Sequence, residues 1–366
     1  MIAAKDKITP AQLTILVIQA QIGVSILFLP SSVESIAGND AWISVILAGI
    51  TSLLLIVIIW GLSRRFPALT LFEYLPMLLG KVLGKIVHVV YASMFILECS
   101  FLLVEFGDVM RDWVFSNTPG WVILSLMLLT SLYMIRENIR LIARFFVLTF
   151  GLIFVLILIA TYAYRDADLM YILPINQVSL PGVFKAMMQS MDSLYGFEIL
   201  FFCYPYVQGK SKGILKATIF GNIFSTLVYT FMVFTCLIVF SPEELKVIPQ
   251  PVLYMVKTLS FTIFERADLY FLTIWTLVVI TSVMAYLFMS AKTVSALFGK
   301  KQHAGTAPYV ALVILCISLY PHDQDMINKM KYIVGILTGV SLIALPLILL
   351  CISYLRKIKG KEQAEA

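Results

Sequence analysis

Two stretches decide the fold: IGVSILFLP, Ile22 to Pro30, and YGFEILFFCYP, Tyr195 to Pro205. Both carry the pattern G-x-[Ser/Glu]-I-L-F, and each sets its glycine, Gly23 or Gly196, inside an apolar run. A glycine in such a run either lets two helices pack closely or marks a place where a helix breaks. What surrounds the two glycines decides between these readings.

The chain has 366 residues, of which 60% are hydrophobic and only 13% charged, with a mean hydropathy of +0.95. A soluble domain carries about 25% charge, so this composition reads as an integral membrane protein. Apolar runs of roughly 17 to 25 residues, each able to cross a hydrocarbon core about 30 Å thick, recur throughout. The expected helices cover 11–35, 42–62, 86–110, 119–135, 141–164, 183–207, 214–240, 268–298, 308–320 and 331–354. The first is read as a retained span rather than a signal peptide, because it is too long and lacks a small-residue cleavage site. Thr9 and Pro10 open it as a cap and a proline at the first helical position.

Gly23 and Gly196 hold matching places in the first and sixth of these ten spans. Five spans per set is an odd number, so the second set is inverted relative to the first. The expected fold is therefore an all-α membrane protein of about ten transmembrane helices, a five-plus-five inverted repeat with broken first and sixth helices. It forms a single domain, 1–366, with repeats over about 8–164 and 180–354 and a short tail, 355–366.

Of the 27 lysines and arginines, most fall on one side if the N-terminus is cytoplasmic, among them Lys5, Lys7, Arg64, Arg65, Lys81, Lys85, Lys210, Lys212, Lys300, Lys301 and Lys361. The outer side keeps Arg111, Arg165, Lys185, Lys246, Lys257, Arg266, Lys329 and Lys331. This bias places both termini in the cytoplasm. The net charge of +6 follows the membrane and does not point to nucleic acid. Residues 66–85 read as an amphipathic helix on the inner surface. Residues 241–267, with Pro242, Pro249 and Pro251, read as an outer loop with a small helix that could lid a pocket.

Broken helices free backbone groups near the midplane, and such groups are tolerated only beside a cavity. The candidate ligand site is accordingly Ile22, Gly23, Val24 and Ser25 with Leu194, Tyr195, Gly196, Phe197 and Glu198. A carboxylate suits the half-helix N-terminus around Gly23 to Ser25. An ionisable Glu198 at this depth faces a cavity or a partner. It reads either as a ligand-facing carboxylate or as a structural hydrogen-bonding group across a helix contact. Glu98, Glu105 and Asp108 share one face of the third span. Asp108 is open to gating or to a local pair with Arg111, and Arg144 to snorkelling or to standing in for a bound cation. The five cysteines and three histidines form no ligand cluster, so no metal is expected. No phosphate loop, catalytic triad or cofactor motif is present, so neither an enzyme nor a cofactor is expected.

The chain resembles the endospore germination permease family, the B subunits of spore germinant receptors, within the amino acid/polyamine/organocation transporter superfamily. The resemblance rests on TLFEYLPMLLGKVLGK after the second span, SNTP at 116–119, SLYGFEILFFCYPYVQGKSK through the sixth, IFERADLYFLTIW entering the eighth and SLYP at 318–321. Val104 departs from the pattern, in which an arginine often stands before the Glu105-Phe106 pair. The resemblance implies a receptor subunit in the spore inner membrane, bathed in lipid, that binds a small germinant such as an amino acid. It also implies an A subunit and a lipoprotein C subunit as partners. The residues by themselves leave open a genuine secondary amino acid transporter or a structural scaffold of the complex.

Overall fold

A computed structural model of the chain describes residues 6–175, 178–259, 266–300 and 302–360. Lys5, Lys301 and residues 361–366 of the tail lie outside the described residues, as do 260–265 of the 241–267 loop, which include the first three residues of IFERADLYFLTIW. The described residues form helices without a named strand; the one isolated bridge pairs Ile8 with Val207. Six helical stretches are long and apolar enough to cross a membrane, and the shorter Gly120–Ile135 and Ala307–Ser318 add to them.

The first repeat contains α1 (Pro10–Gln21), α2 (Leu29–Ala37), α3 (Ala41–Arg64), α4 (Leu71–Trp113), α5 (Gly120–Ile135) and α6 (Ile139–Thr161). The second contains α7 (Leu180–Leu194), α8 (Leu200–Cys203), α9 (Ser211–Val239), the short α10 (Pro242–Val247) and α11 (Pro251–Thr258), then α12 (Ala267–Leu297), α13 (Ala307–Ser318), α14 (Gln324–Gly339) and α15 (Leu345–Leu355). The expected first span is divided into α1 and α2 by a single turn at Val24–Ile26, and the expected sixth into α7 and α8 by one at Phe197–Ile199. The last span is continuous, with a π-helical stretch over Val340–Ala344 joining α14 to α15.

Local chemistry explains the ends. Thr9 and Gln12 form a capping box at α1, the Thr9 hydroxyl accepting from the Gln12 N–H and the Gln12 amide oxygen accepting from the Thr9 N–H. Two orphan donors of the first turn are thereby satisfied. Residues 66–85 are helical from Leu71 onward as expected, but the helix runs on through a kink at Gly80 into the third span. Its inner face is fixed by stacking of Phe66 on Tyr74, with centroids 4.4 Å apart.

α12 lies at the centre and packs on α1, α4, α5 and α6; it is the most buried of the long spans. Both ends of the described residues are tied to one face of the bundle. The Ile8 N–H donates to Tyr206 O and the Gln208 N–H to Ile8 O, both at 2.9 Å. At the other terminus the Gly360 N–H donates to Arg65 O at 2.9 Å, and the Arg65 guanidinium donates to Ser353 O at 2.8 Å. On the opposite face α10 and α11 form a strap, held by Ser31 Oγ donating to Pro249 O at 3.2 Å and by Trp113 Nε1 donating to Gln250 Oε1 at 2.6 Å.

Candidate ligand site at the paired helix breaks

The two breaks touch. Gly196 has φ +128°, and a Cβ built on it would lie 2.7 Å from the Ala20 carbonyl carbon and 2.8 Å from the Gln21 nitrogen. Glycine is required there both by the positive φ and by the backbone pressed against it. Gly23 serves the same end from the first break, where a Cβ would lie 2.7 Å from Ser282 Oγ.

The carbonyls that α1 leaves unsatisfied at its C-terminal end are taken up by neighbouring side chains. Ser282 Oγ is 2.9 Å from both Gln19 O and Ile22 O, and Tyr229 Oη donates to Gln21 O at 2.8 Å. Gln19, fully buried, donates from its amide to Thr149 Oγ1 and Phe146 O on α6 and accepts from Thr281 Oγ1 on α12. The Gln21 amide donates to Leu194 O at the end of α7 and to Asn222 Oδ1 on α9. The first break thus holds the second in place. The turn at Val24–Ile26 has no side-chain cap at Gly23, so the N–H groups that open it have no partner inside the turn.

A cavity of about 70 Å³ lies against these breaks. Gly23, Ser25, Tyr195, Ser193, Glu98, Glu105, Asp192, Gln21, Tyr286 and Lys331 are among its lining residues. It reaches toward the face opposite the termini, because Glu105 lies in the later half of α4 and Lys331 in the early part of α14. On the termini side of the second break the core is packed with rings, the Phe202 centroid lying 5.4 Å from that of Phe95 and 6.4 Å from that of Phe288. A second cavity, of about 380 Å³, lies on the termini face among Asp6, Arg136, Glu137, Tyr206, Lys292 and His303.

Of the residues expected to bind, Gly23, Ser25 and Tyr195 line the cavity, whereas Ile22, Val24, Leu194, Gly196 and Phe197 form the breaks behind it. Glu198 is fully buried and turned away from the cavity: Oε2 accepts from the Gly196 N–H at 2.6 Å and Oε1 from Tyr286 Oη at 2.8 Å. Its geometry is that of the structural hydrogen-bonding group. Glu98 and Glu105 line the cavity, and Glu98 also accepts from Thr338 Oγ1. Asp108 pairs with Arg111 and is not a lining residue. Arg144 is exposed on α6, as its snorkelling reading has it, and at the first break the Gln19 amide bridges α1, α6 and α12. The described residues of the 241–267 segment contribute no lining to the cavity.

Sequence reasoning missed Gln19, Gln21, Asp192, Ser282, Tyr286 and Lys331. Two glutamines in IQAQIG and an aspartate in SMDSLYG were legible by the rule applied to Glu198, that polar groups inside a span face a partner or a cavity. Ser282 and Lys331 carried no local signal, since their role depends on which helices meet.

The family described as spore germination protein matches residues 7–327. Spore germination protein GerQB of Bacillus cereus is 27% identical over 327 residues, covering 89% of this chain and 89% of the relative. Spore germination protein YndE of Bacillus subtilis (strain 168) is 27% identical over 364 residues, covering 98% and 99%. Among solved structures, MhsT in complex with L-phenylalanine superposes with a TM-score of 0.67 at 13% identity, covering 95% of this chain and 98% of that one. That likeness establishes the transporter-like, inverted-repeat fold.

Proposed function

The chain belongs to the spore germination protein family, and from that premise we propose that it is a germinant receptor subunit, not an enzyme, that binds a small amino acid between its two helix breaks. The carboxylate of the ligand meets the N–H groups that open the turn at Val24–Ile26, and its ammonium faces Ser193, Tyr195 and the lining carboxylates. Binding favours one arrangement of the broken helices, and an A subunit and a lipoprotein C subunit read that shift in the spore inner membrane. The face carrying both termini lies toward the cytoplasm, on the bias of lysine and arginine. The observation that carries this reading is the contact of Gly196 with Ala20 and Gln21, which brings both breaks to the floor of one cavity. An amino acid occupies the superposed fold in MhsT, which adds support for that class of ligand.

The test is germination of spores that express this chain with its partner subunits in a background lacking other receptors, challenged with single amino acids and sugars. Release triggered by an amino acid is expected, and silence toward every amino acid contradicts the reading. A second reading, secondary transport, is favoured by the separate cavity on the termini face, which would serve as the other end of an alternating path. Accumulation of labelled amino acid in vesicles containing the purified chain distinguishes the two.

A further inference from the structure

The cavity at the breaks carries more negative charge than its protein neighbours answer. Glu98, Glu105 and Asp192 line it, and among the described residues Lys331 is the one lining cation. Glu98 is held by Thr338. Among the described residues, Glu105, Asp192 and Lys331 make no hydrogen bond or ion pair, and Asp192 is exposed to the cavity although it lies within the span. An independent feature points the same way. Gln21, only 3% exposed, lines the cavity, and its Oε1 is buried with no hydrogen-bond partner while its amide N–H groups are both engaged. The lining therefore sets three carboxylates and one unpartnered amide oxygen against a single ammonium.

Carboxylates within a membrane span are costly unless paired. A zwitterion brings one ammonium and one carboxylate, and if the carboxylate goes to the backbone at Val24–Ile26 the lining keeps an unanswered negative charge. Resting on the proposed amino acid reading and narrowing it, we propose that the ligand is a small organic cation with more ammonium groups than carboxylates, a basic amino acid or a diamine. The acids stand at two depths, since Glu98 and Glu105 are seven residues apart and about 10 Å apart along α4 at 1.5 Å per residue. An elongated ligand with separated cationic groups matches that layout, one group near Glu98 and Tyr195 and the other near Glu105 and Asp192.

The test is calorimetric titration of the purified full-length protein in lipid nanodiscs with L-lysine, with L-norleucine, which has the same carbon chain but no ε-ammonium, and with cadaverine. L-Lysine is expected to bind at least about thirtyfold more tightly than L-norleucine, as removal of one partner from a buried charge pair predicts. The double variant Glu105→Gln with Asp192→Asn is expected to bring the two ligands within a few-fold of each other. Equal binding of L-norleucine and L-lysine to the unaltered protein overturns the charge inference and leaves an amino acid receptor standing. Binding of none of the three probes also overturns it, and the spore germination assay with neutral amino acids then decides separately whether the receptor reading survives.

Discussion

The Glu198 carboxylate accepts a hydrogen bond from Tyr286 Oη at 2.8 Å, across the contact between the second helix break and the central helix α12. Its other oxygen accepts from the Gly196 N–H at 2.6 Å. One side chain therefore closes the backbone of the break and anchors it to the core, which is why an acid stands in an apolar run.

A replacement at Glu198 is expected to act through this brace rather than through ligand charge. Glu198→Gln keeps an acceptor for the Gly196 N–H and a polar partner for Tyr286, and the half-maximal germinant concentration stays within a few-fold. Glu198→Ala leaves the buried N–H without an acceptor, which costs about 1 to 3 kcal/mol. Thermal unfolding of the purified variants reads the difference. A large loss of ligand sensitivity in a stable Gln variant would show that the carboxylate faces the ligand after all.

At Gly196 the expected effect is larger. Gly196→Ala meets both the positive φ and the backbone of Ala20 and Gln21, so the two breaks must separate. Backbone atoms cannot swing aside as side chains do, and strain of this kind costs of the order of 1 to 3 kcal/mol before any clash is counted. Reduced abundance together with lost response is predicted. Gly213→Ala, at the start of α9 with open space around it, serves as the comparison and is expected to behave as the parent protein.

His303, in the connection between α12 and α13, provides a pH dependence. Its ring lies 2.6 Å from Ile135 O, and burial, with the nearby Lys292 ammonium adding to it, pushes its pKa down from 6.5 to about 4. The folded state therefore keeps the ring neutral while the unfolded chain takes up a proton below about pH 6.5. Stability is full above that value and is lost as pH falls toward 4, by up to about 3 kcal/mol. Thermal unfolding in nanodiscs between pH 7.5 and 5 should show this decline, and His303→Gln should flatten it. An identical slope in the variant would assign the decline to other groups.

The architecture was legible in the sequence because its signal is local. Gly23 and Gly196 sit in matched words, and apolar length counts spans without reference to packing. The ninth expected span, 308–320, forms as Ala307–Ser318. The site was legible only in part. Gly23, Ser25 and Tyr195 could be placed near the cavity because the break itself creates the free backbone. The direction of Glu198 could not be read, because it depends on Tyr286 arriving from 88 residues away. Lys331 read as an outer-loop charge, and only the meeting of α14 with α4 brings it into the lining.

The most direct test of the central claim, that the ligand sits in the cavity at the paired breaks, fills that cavity without touching the breaks. Gly335 on α14 is a lining residue with nothing within 4 Å of a Cβ placed on it, so Gly335→Leu adds four carbon atoms to free space. Gly339, one turn further along α14, also has open space around it but does not line the cavity. The measurement is the half-maximal germinant concentration of spores carrying each variant at matched protein abundance. The account predicts a rise of at least about tenfold for Gly335→Leu, equivalent to about 1.4 kcal/mol of lost binding, and no change for Gly339→Leu. An unaltered dose response in Gly335→Leu would contradict it.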